Sequence, residues 1–299
     1  MKDELKIGFV GFGEAGYYLA RGLRGAGLAH IHAFDIHAQT PGRGEKIRQR
    51  AAETAVTLCE SNAQLAAACN LLLATVTASS ALEAAQQNAP HLRERHIYAD
   101  LNSVSPALKQ TIAQLIEARA ARFVEVAIMA PVPPHGHRVP MLLGGAHAQA
   151  LVDWLAPFGM QLEIISAQIG AAAATKMCRS IVVKGLEALL FECVLGAVPY
   201  GADERVFATL EETMPGMNWQ RLASYMVGRV IEHGERRARE LEEVAATLRA
   251  IGVEPVMTEA IVKRQDWGAA LDLLPQFGGK PPDDYRVVVR AVLNGGQTQ

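Results

Sequence analysis

The chain has 299 residues, half of them hydrophobic and a fifth charged, which is material for two hydrophobic cores and the balance of an ordinary globular protein. Its 29 Lys and Arg nearly cancel its 31 Asp and Glu, so no global field draws it to nucleic acid or to an anionic membrane. No apolar run reaches the ~20 residues of a membrane span, the start Met1–Glu4 lacks the apolar core of a secretory signal, and four cysteines without a C-x-x-C pair suit free thiols in a reducing cytoplasm.

In chain order, Leu5 to Val10 reads as a strand, followed directly by Gly11-Phe12-Gly13-Glu14-Ala15-Gly16. In this G-x-G-x-x-G spacing Gly11 permits the tight turn, Gly13 lets the backbone approach a pyrophosphate, and Gly16 lets helix and strand pack closely. The helix that follows, about Ala15 to Arg24, aims unpaired N–H groups and a positive dipole end at the anion. A second strand, Ala29 to Asp35, ends in a carboxylate where an acceptor for a ribose hydroxyl is expected. These features together predict a dinucleotide site. Asp35 inclines the choice to NAD over NADP; Arg43 or Lys46, in the polar stretch Ile36 to Arg50 around the loop Thr40–Gly44, either accepts the extra phosphate of NADP or faces solvent.

Strand-like runs at Ala55–Leu58 and Leu71–Val76 then alternate with helical ones at Ala63–Ala68 and Ala81–Gln87. That alternation predicts a mostly parallel, doubly wound α/β sheet of Rossmann type. Its ligands sit beyond the C-terminal strand ends, which puts Thr75, Val76 and Thr77 at the cofactor. The strand His96–Asp100 leads to a polar turn in which Ser105 is an N-cap before Pro106. Asn102 and Ser103 in that turn are either ligands for substrate oxygens or plain turn formers.

A strand at Phe123–Ile128 runs into a proline-stiffened loop, Met129–His137, and a further strand ends at Gly144-Gly145. His135, His137 and His147 have no carboxylate or cysteine at ligand spacing, so no metal site is expected. Helix Ala148–Leu155 and strand Leu162–Ile165 close a first domain, residues 1–166. From Gly170 a run with few breakers predicts a helix of roughly 25 to 30 residues, about 40 Å long, suited to joining domains. Residues 167–299 then read as all-α, with helical periodicity from Asp203 to Leu273 including the charged stretch His233–Glu243, and a frayed tail at Gly295–Gln299.

Hydride chemistry also needs a group that moves a proton. Lys176 stands near the start of the long helix, with Arg179 within one turn and Ser180 four residues on, on the same helical face. On residues alone it is either a snorkelling lysine or a proton carrier whose pKa desolvation and nearby cations tune.

Four blocks in order, Ile7–Gly16, Asp100–Pro106, Phe123-Val124-Glu125 leading to Gly144-Gly145, and Gly170–Lys176, resemble the β-hydroxyacid dehydrogenase family, which includes 6-phosphogluconate and 3-hydroxyisobutyrate dehydrogenases. The resemblance extends over about the first 200 residues. It implies an NAD(P)-dependent dehydrogenase with Lys176 as general acid/base and the Asn102-Ser103 turn at the substrate. The family usually has Ser-Thr at Asn102-Ser103, Ser-Gly-Gly at Met129-Ala130-Pro131 and Asn at Ser180, so Met129, Ala130 and Ser180 mark a substrate pocket altered for an unusual small hydroxy acid or sugar-acid-like compound. The C-terminal part resembles a less characterised branch, in which His233 and Arg236 with Arg237 either line the pocket or form a solvated helix face. A helical domain of this kind commonly forms a homodimer in the family. The rival readings are an imine reductase on the same scaffold, which needs no basic lysine, and a nucleotide-sensing protein that does not depend on Lys176.

Overall fold

A computed structural model describes residues 5–295. The opening Met1–Glu4 and most of the tail expected to fray lie outside the described residues. The chain divides into two compact units, residues 1–176 and 177–299, with the division inside the long helix rather than ahead of it at residue 166.

The first unit is built on an eight-stranded sheet in the order β3-β2-β1-β4-β5-β6-β7-β8. The strands are β1 (Lys6–Val10), β2 (His30–Phe34), β3 (Thr57–Leu58), β4 (Leu71–Ala74), β5 (Ile97–Asp100), β6 (Arg122–Ile128), β7 (Met141–Gly144) and β8 (Leu162–Ser166). All neighbours are parallel except β6 and β7. The helices α1 (Glu14–Gly25), α2 (Arg43–Glu53), α3 (Asn62–Ala68), α4 (Ala81–Asn88), α5 (Pro106–Glu117), a single turn α6 (Val132–His135) and α7 (Ala148–Leu155) complete the unit. Every residue of β4 and of β5 is buried, the pattern of central parallel strands covered on both faces. Ser105 caps α5 by accepting from the Leu108 amide at 3.2 Å, and Pro106 opens the first turn.

Two stretches expected as loops are partly helical. Arg43 opens α2, because Ile47 and Ala51 lie one turn apart and bury themselves against the sheet. The segment 129–137 winds into α6, whose first turn accepts Pro133 without losing a needed hydrogen bond.

The second unit contains most of α8 (Ala171–Ala197), then α9 (Asp203–Thr213), α10 (Trp219–Ala250), α11 (Val256–Ala270) and α12 (Tyr285–Gly295). Its core gathers Phe191, Val194, Val227, Val230, Tyr285 and Val288. Gly234, in the middle of α10, is required by close approach: a Cβ there would lie 2.5 Å from the Gln265 carbonyl of α11. Asp203 ties α12 to α9, accepting from the Tyr285 hydroxyl at 2.5 Å and from Arg286 Nε at 2.7 Å.

Candidate active site

The glycine loop leaves β1 at the point where the sheet order reverses between β1 and β4, the usual ligand crevice of such a sheet. Gly11 has φ +82°, and a Cβ on it would lie 2.7 Å from Val76 Cγ1. The Thr75 hydroxyl donates to the Gly11 carbonyl at 2.8 Å, and a Cβ on Gly16 would stand 3.1 Å from that hydroxyl oxygen. Thr75 and Val76 therefore wall the loop, while Thr77 is exposed and bonded to Ser80. Gly13 faces open space, with nothing within 4 Å of a Cβ built on it, and as N-cap of α1 it offers no side chain to the helix start. An uncapped helix N-terminus beside open space suits a pyrophosphate, and the backbone of Gly13, Glu14 and Ala15 is what would hold it.

The other loop residues have different duties. Phe12 turns its ring into the core, 5.8 Å from that of Phe9, and its amide donates to Asp35 Oδ2 at 2.8 Å. Asp35 Oδ1 accepts from the His37 amide at 2.9 Å. This carboxylate thus joins the glycine loop to the end of β2, and each oxygen keeps a lone pair for a ribose hydroxyl. Arg43 and Lys46 are exposed on α2.

Beyond β5, Lys176 Nζ donates to Ser103 Oγ at 2.5 Å, across 73 residues of sequence. Two buried carboxylates brace this pair. Asp100 Oδ1 accepts from the Asn102 amide at 3.0 Å and from Asn102 Nδ2 at 2.5 Å, while buried Lys109 lies 3.2 Å from Asp100 Oδ2 and donates to the Asp100 carbonyl at 2.6 Å. Asn102 is therefore turned inward, and Ser103 is the exposed member of the turn. Glu125, fully buried on β6, accepts from the Gly170 amide through Oε2 and from the Ala173 amide through Oε1, each at 2.6 Å. It caps α8 one turn before Lys176, satisfying amides that a helix start otherwise leaves without partners.

Sequence reasoning passed over Glu125, Asp100 and Lys109 as site residues. A signal existed: Glu125 interrupts an apolar strand and Lys109 falls on the apolar stripe of α5, and a charge in such a place needs a partner. Met129 and Ala130 are half-buried just past β6, where the Met129 amide donates to the Pro140 carbonyl at 2.9 Å. His137 packs near Gly22 and bonds the Phe158 carbonyl at 3.0 Å.

Ser180, His233 and Arg236 belong to the second unit. Ser180 is half-buried on α8. His233 and Arg236 lie on α10 in a network that sequence reasoning saw only in part: Lys184 donates to Glu240 Oε2 at 2.6 Å, Arg236 pairs with Glu240 Oε1, and buried Glu187 pairs with Arg237 at 2.9 Å. Burial lowers the His233 pKa, and Arg229, Arg236 and Arg237 push the same way against Glu232.

Residues 6–147 match the NAD binding domain of 6-phosphogluconate dehydrogenase, and residues 197–268 match a domain of unknown function, DUF1932. The first unit is thus an NAD(P)-binding domain. A conserved hypothetical protein from Sinorhizobium meliloti is similar over 96% of this chain and 95% of its own, at 35% identity and a TM-score of 0.84. MTH1747, a conserved protein of unknown function described as structurally similar to 3-hydroxyacid dehydrogenases, shares 31% identity over 88% of this chain and 96% of its own, with a TM-score of 0.77. The fold alone is shared with a Mycobacterium tuberculosis 3-hydroxyisobutyrate dehydrogenase solved with L-serine, at 15% identity and a TM-score of 0.72 over 96% of this chain and 99% of that one. With glycine loop, fold and relatives in agreement, the chain belongs to the β-hydroxyacid dehydrogenase family, in a branch that joins the 6-phosphogluconate dehydrogenase NAD-binding domain to a distinct helical C-terminal domain.

Proposed function

We propose that this protein is an NAD(P)-dependent oxidoreductase that moves a hydride between the nicotinamide and a carbinol carbon of a small hydroxy acid or sugar-acid-like substrate, with Lys176 as general acid/base. The observation that carries this reading is the 2.5 Å hydrogen bond from Lys176 to Ser103 beyond β5, at the same strand ends as the glycine loop. When bound, the cofactor supplies the hydride acceptor. Oxidation of an alcohol also releases a proton, and a neutral amine at Lys176 takes it from the hydroxyl; in reduction the ammonium returns it. Ser103, accepting from Lys176, keeps its own O–H to donate to a substrate oxygen. Asn102 supports the turn from beneath, while Met129, Ala130 and Ser180 stand where the family usually has Ser, Gly and Asn and set the substrate apart. Asp35 favours NAD.

A homodimer through the helical unit fits the exposed Val182 and Leu189 of α8, and a cytoplasmic setting fits four free cysteines. Among the described residues no helix is long and apolar enough to cross a membrane.

Absorbance at 340 nm, with a panel of hydroxy acids and sugar acids and with NAD and NADP tested separately, checks the activity. Lys176→Ala is expected to lower kcat by about a hundredfold or more while NADH binding, followed by fluorescence, is unchanged. Undiminished turnover would remove Lys176 from the mechanism.

A further inference from the structure

Lys109 is fully buried on the apolar stripe of α5, in line with Ile112, Ala113 and Ile116. A methionine would fill such a place without taking an ammonium out of water, and a buried ion pair is often no more stable than apolar residues of the same size. The charge therefore calls for a reason other than stability, and its partners supply one. Lys109 Nζ donates at 2.6 Å to the carbonyl of Asp100, where β5 ends, and at 3.4 Å to the carbonyl of Val126 on β6. It also stands 3.2 Å from Asp100 Oδ2, a buried oxygen with no aligned hydrogen bond among the described residues, so the ammonium meets it as a charge.

These two strands carry the two halves of the Lys176–Ser103 pair. Asp100 and Glu125 are register partners across β5 and β6. From Asp100 the chain runs to Ser103 through Asn102, whose backbone amide and side chain both donate to Asp100 Oδ1. Glu125, one residue before Val126, holds the amides of Gly170 and Ala173, and Lys176 follows one turn later. Helix α5 reaches the start of α8 as well: Gln110 Nε2 donates to the Ile169 carbonyl at 3.1 Å, and a Cβ on Gly170 would lie 3.1 Å from Pro106 Cβ. One buried ammonium is thus shared by the strand behind Ser103 and the strand behind Lys176.

We propose that Lys109 is a positioning residue for the Lys176–Ser103 pair. From inside the core it locks the ends of β5 and β6 at the spacing that lets Lys176 reach Ser103, and so sets the geometry of proton transfer. The catalytic consequence rests on the hydride-transfer reading, whereas the geometric content does not. A misplacement of about 1 Å at a reacting group costs about a hundredfold in rate, so a support outside the site is enough to govern turnover.

Lys109→Met is the direct test. Because it leaves Asp100 buried and unpaired, Asp100→Asn/Lys109→Met accompanies it, a double variant that keeps an acceptor for Asn102 and leaves neither partner charged. Crystal structures of the variants and the wild type measure the Lys176–Ser103 separation without any turnover, and a widening beyond about 3.5 Å, the limit of a hydrogen bond, is expected. With a substrate from the hydroxy-acid panel, kcat should fall about tenfold or more, while KM, NADH affinity by fluorescence and the double variant's urea midpoint hold. In a Lys176→Ala background the same changes should lower kcat no further, because their effect passes through Lys176. A merely structural role would instead multiply the two losses. An unchanged separation in the double variant, or losses that multiply, overturns the proposal. A widened pair beside a wild type that turns over nothing in the panel would remove the hydride-transfer reading and still support Lys109 as the residue that places the pair.

Discussion

Gly11 and Gly13 stand two residues apart and answer to different constraints. At Gly11 a side chain is both strained, at φ +82°, and in collision with Val76, so Gly11→Ala should lower stability by about 1–3 kcal/mol. At Gly13 φ is −77° and a Cβ meets nothing, so Gly13→Ala should change stability by no more than about 0.5 kcal/mol. Its methyl group fills the space through which a pyrophosphate reaches the backbone, and NADH affinity should fall about tenfold or more. Thermal melts beside NADH fluorescence titrations separate the two effects; equal loss of affinity and stability in Gly13→Ala would contradict this division. The glycine spacing was legible because its backbone requirements are local. The inward turn of Asn102 was not, because its partner Asp100 is oriented by Lys109 from another element.

At the scale of elements, α8 depends on a residue 45 positions ahead of its first turn. Both Glu125 oxygens accept buried amides, so Glu125→Ala leaves two donors without partners and should cost about 2–6 kcal/mol, from about 1–3 for each. Glu125→Gln keeps one acceptor oxygen and should cost about half as much. Urea unfolding gives the total, and hydrogen exchange at Gly170 and Ala173 locates it. A loss under about 0.5 kcal/mol would mean that solvent reaches these amides instead. The length of α8 could be read from its unbroken run of helix formers, and it spans 27 residues. What could not be read is where the compact units divide, inside that helix after Lys176, because the division depends on which side chains pack on each half.

For the whole molecule, acid sensitivity follows from histidines in both units. Burial lowers the pKa of His32, His96, His137 and His233. His96 is fully enclosed, its Nδ1 accepting from the Arg93 amide at 2.8 Å and its Nε2 lying 2.9 Å from the Ala66 carbonyl. With the folded pKa depressed, the unfolded chain binds more protons, so stability is full above the unfolded value of about 6.5 and is lost as pH falls through the folded one. Urea midpoints should drop between about pH 7.5 and about pH 5.5, and His96→Gln, which cannot titrate, should flatten part of that slope. An unchanged slope would show that His96 is not among the groups responsible. The sequence by itself determined the α/β-then-α order, the phosphate loop and the candidacy of Lys176, since strand alternation, glycine spacing and helix periodicity are short-range patterns written in neighbouring residues. Only the tertiary structure decided that Ser103 rather than Asn102 meets Lys176, that Glu125 caps the helix carrying it, and that Lys184 of α8 meets Glu240 of α10. Those pairings join residues far apart in the chain, and whether a buried charge finds its partner depends on how whole elements pack.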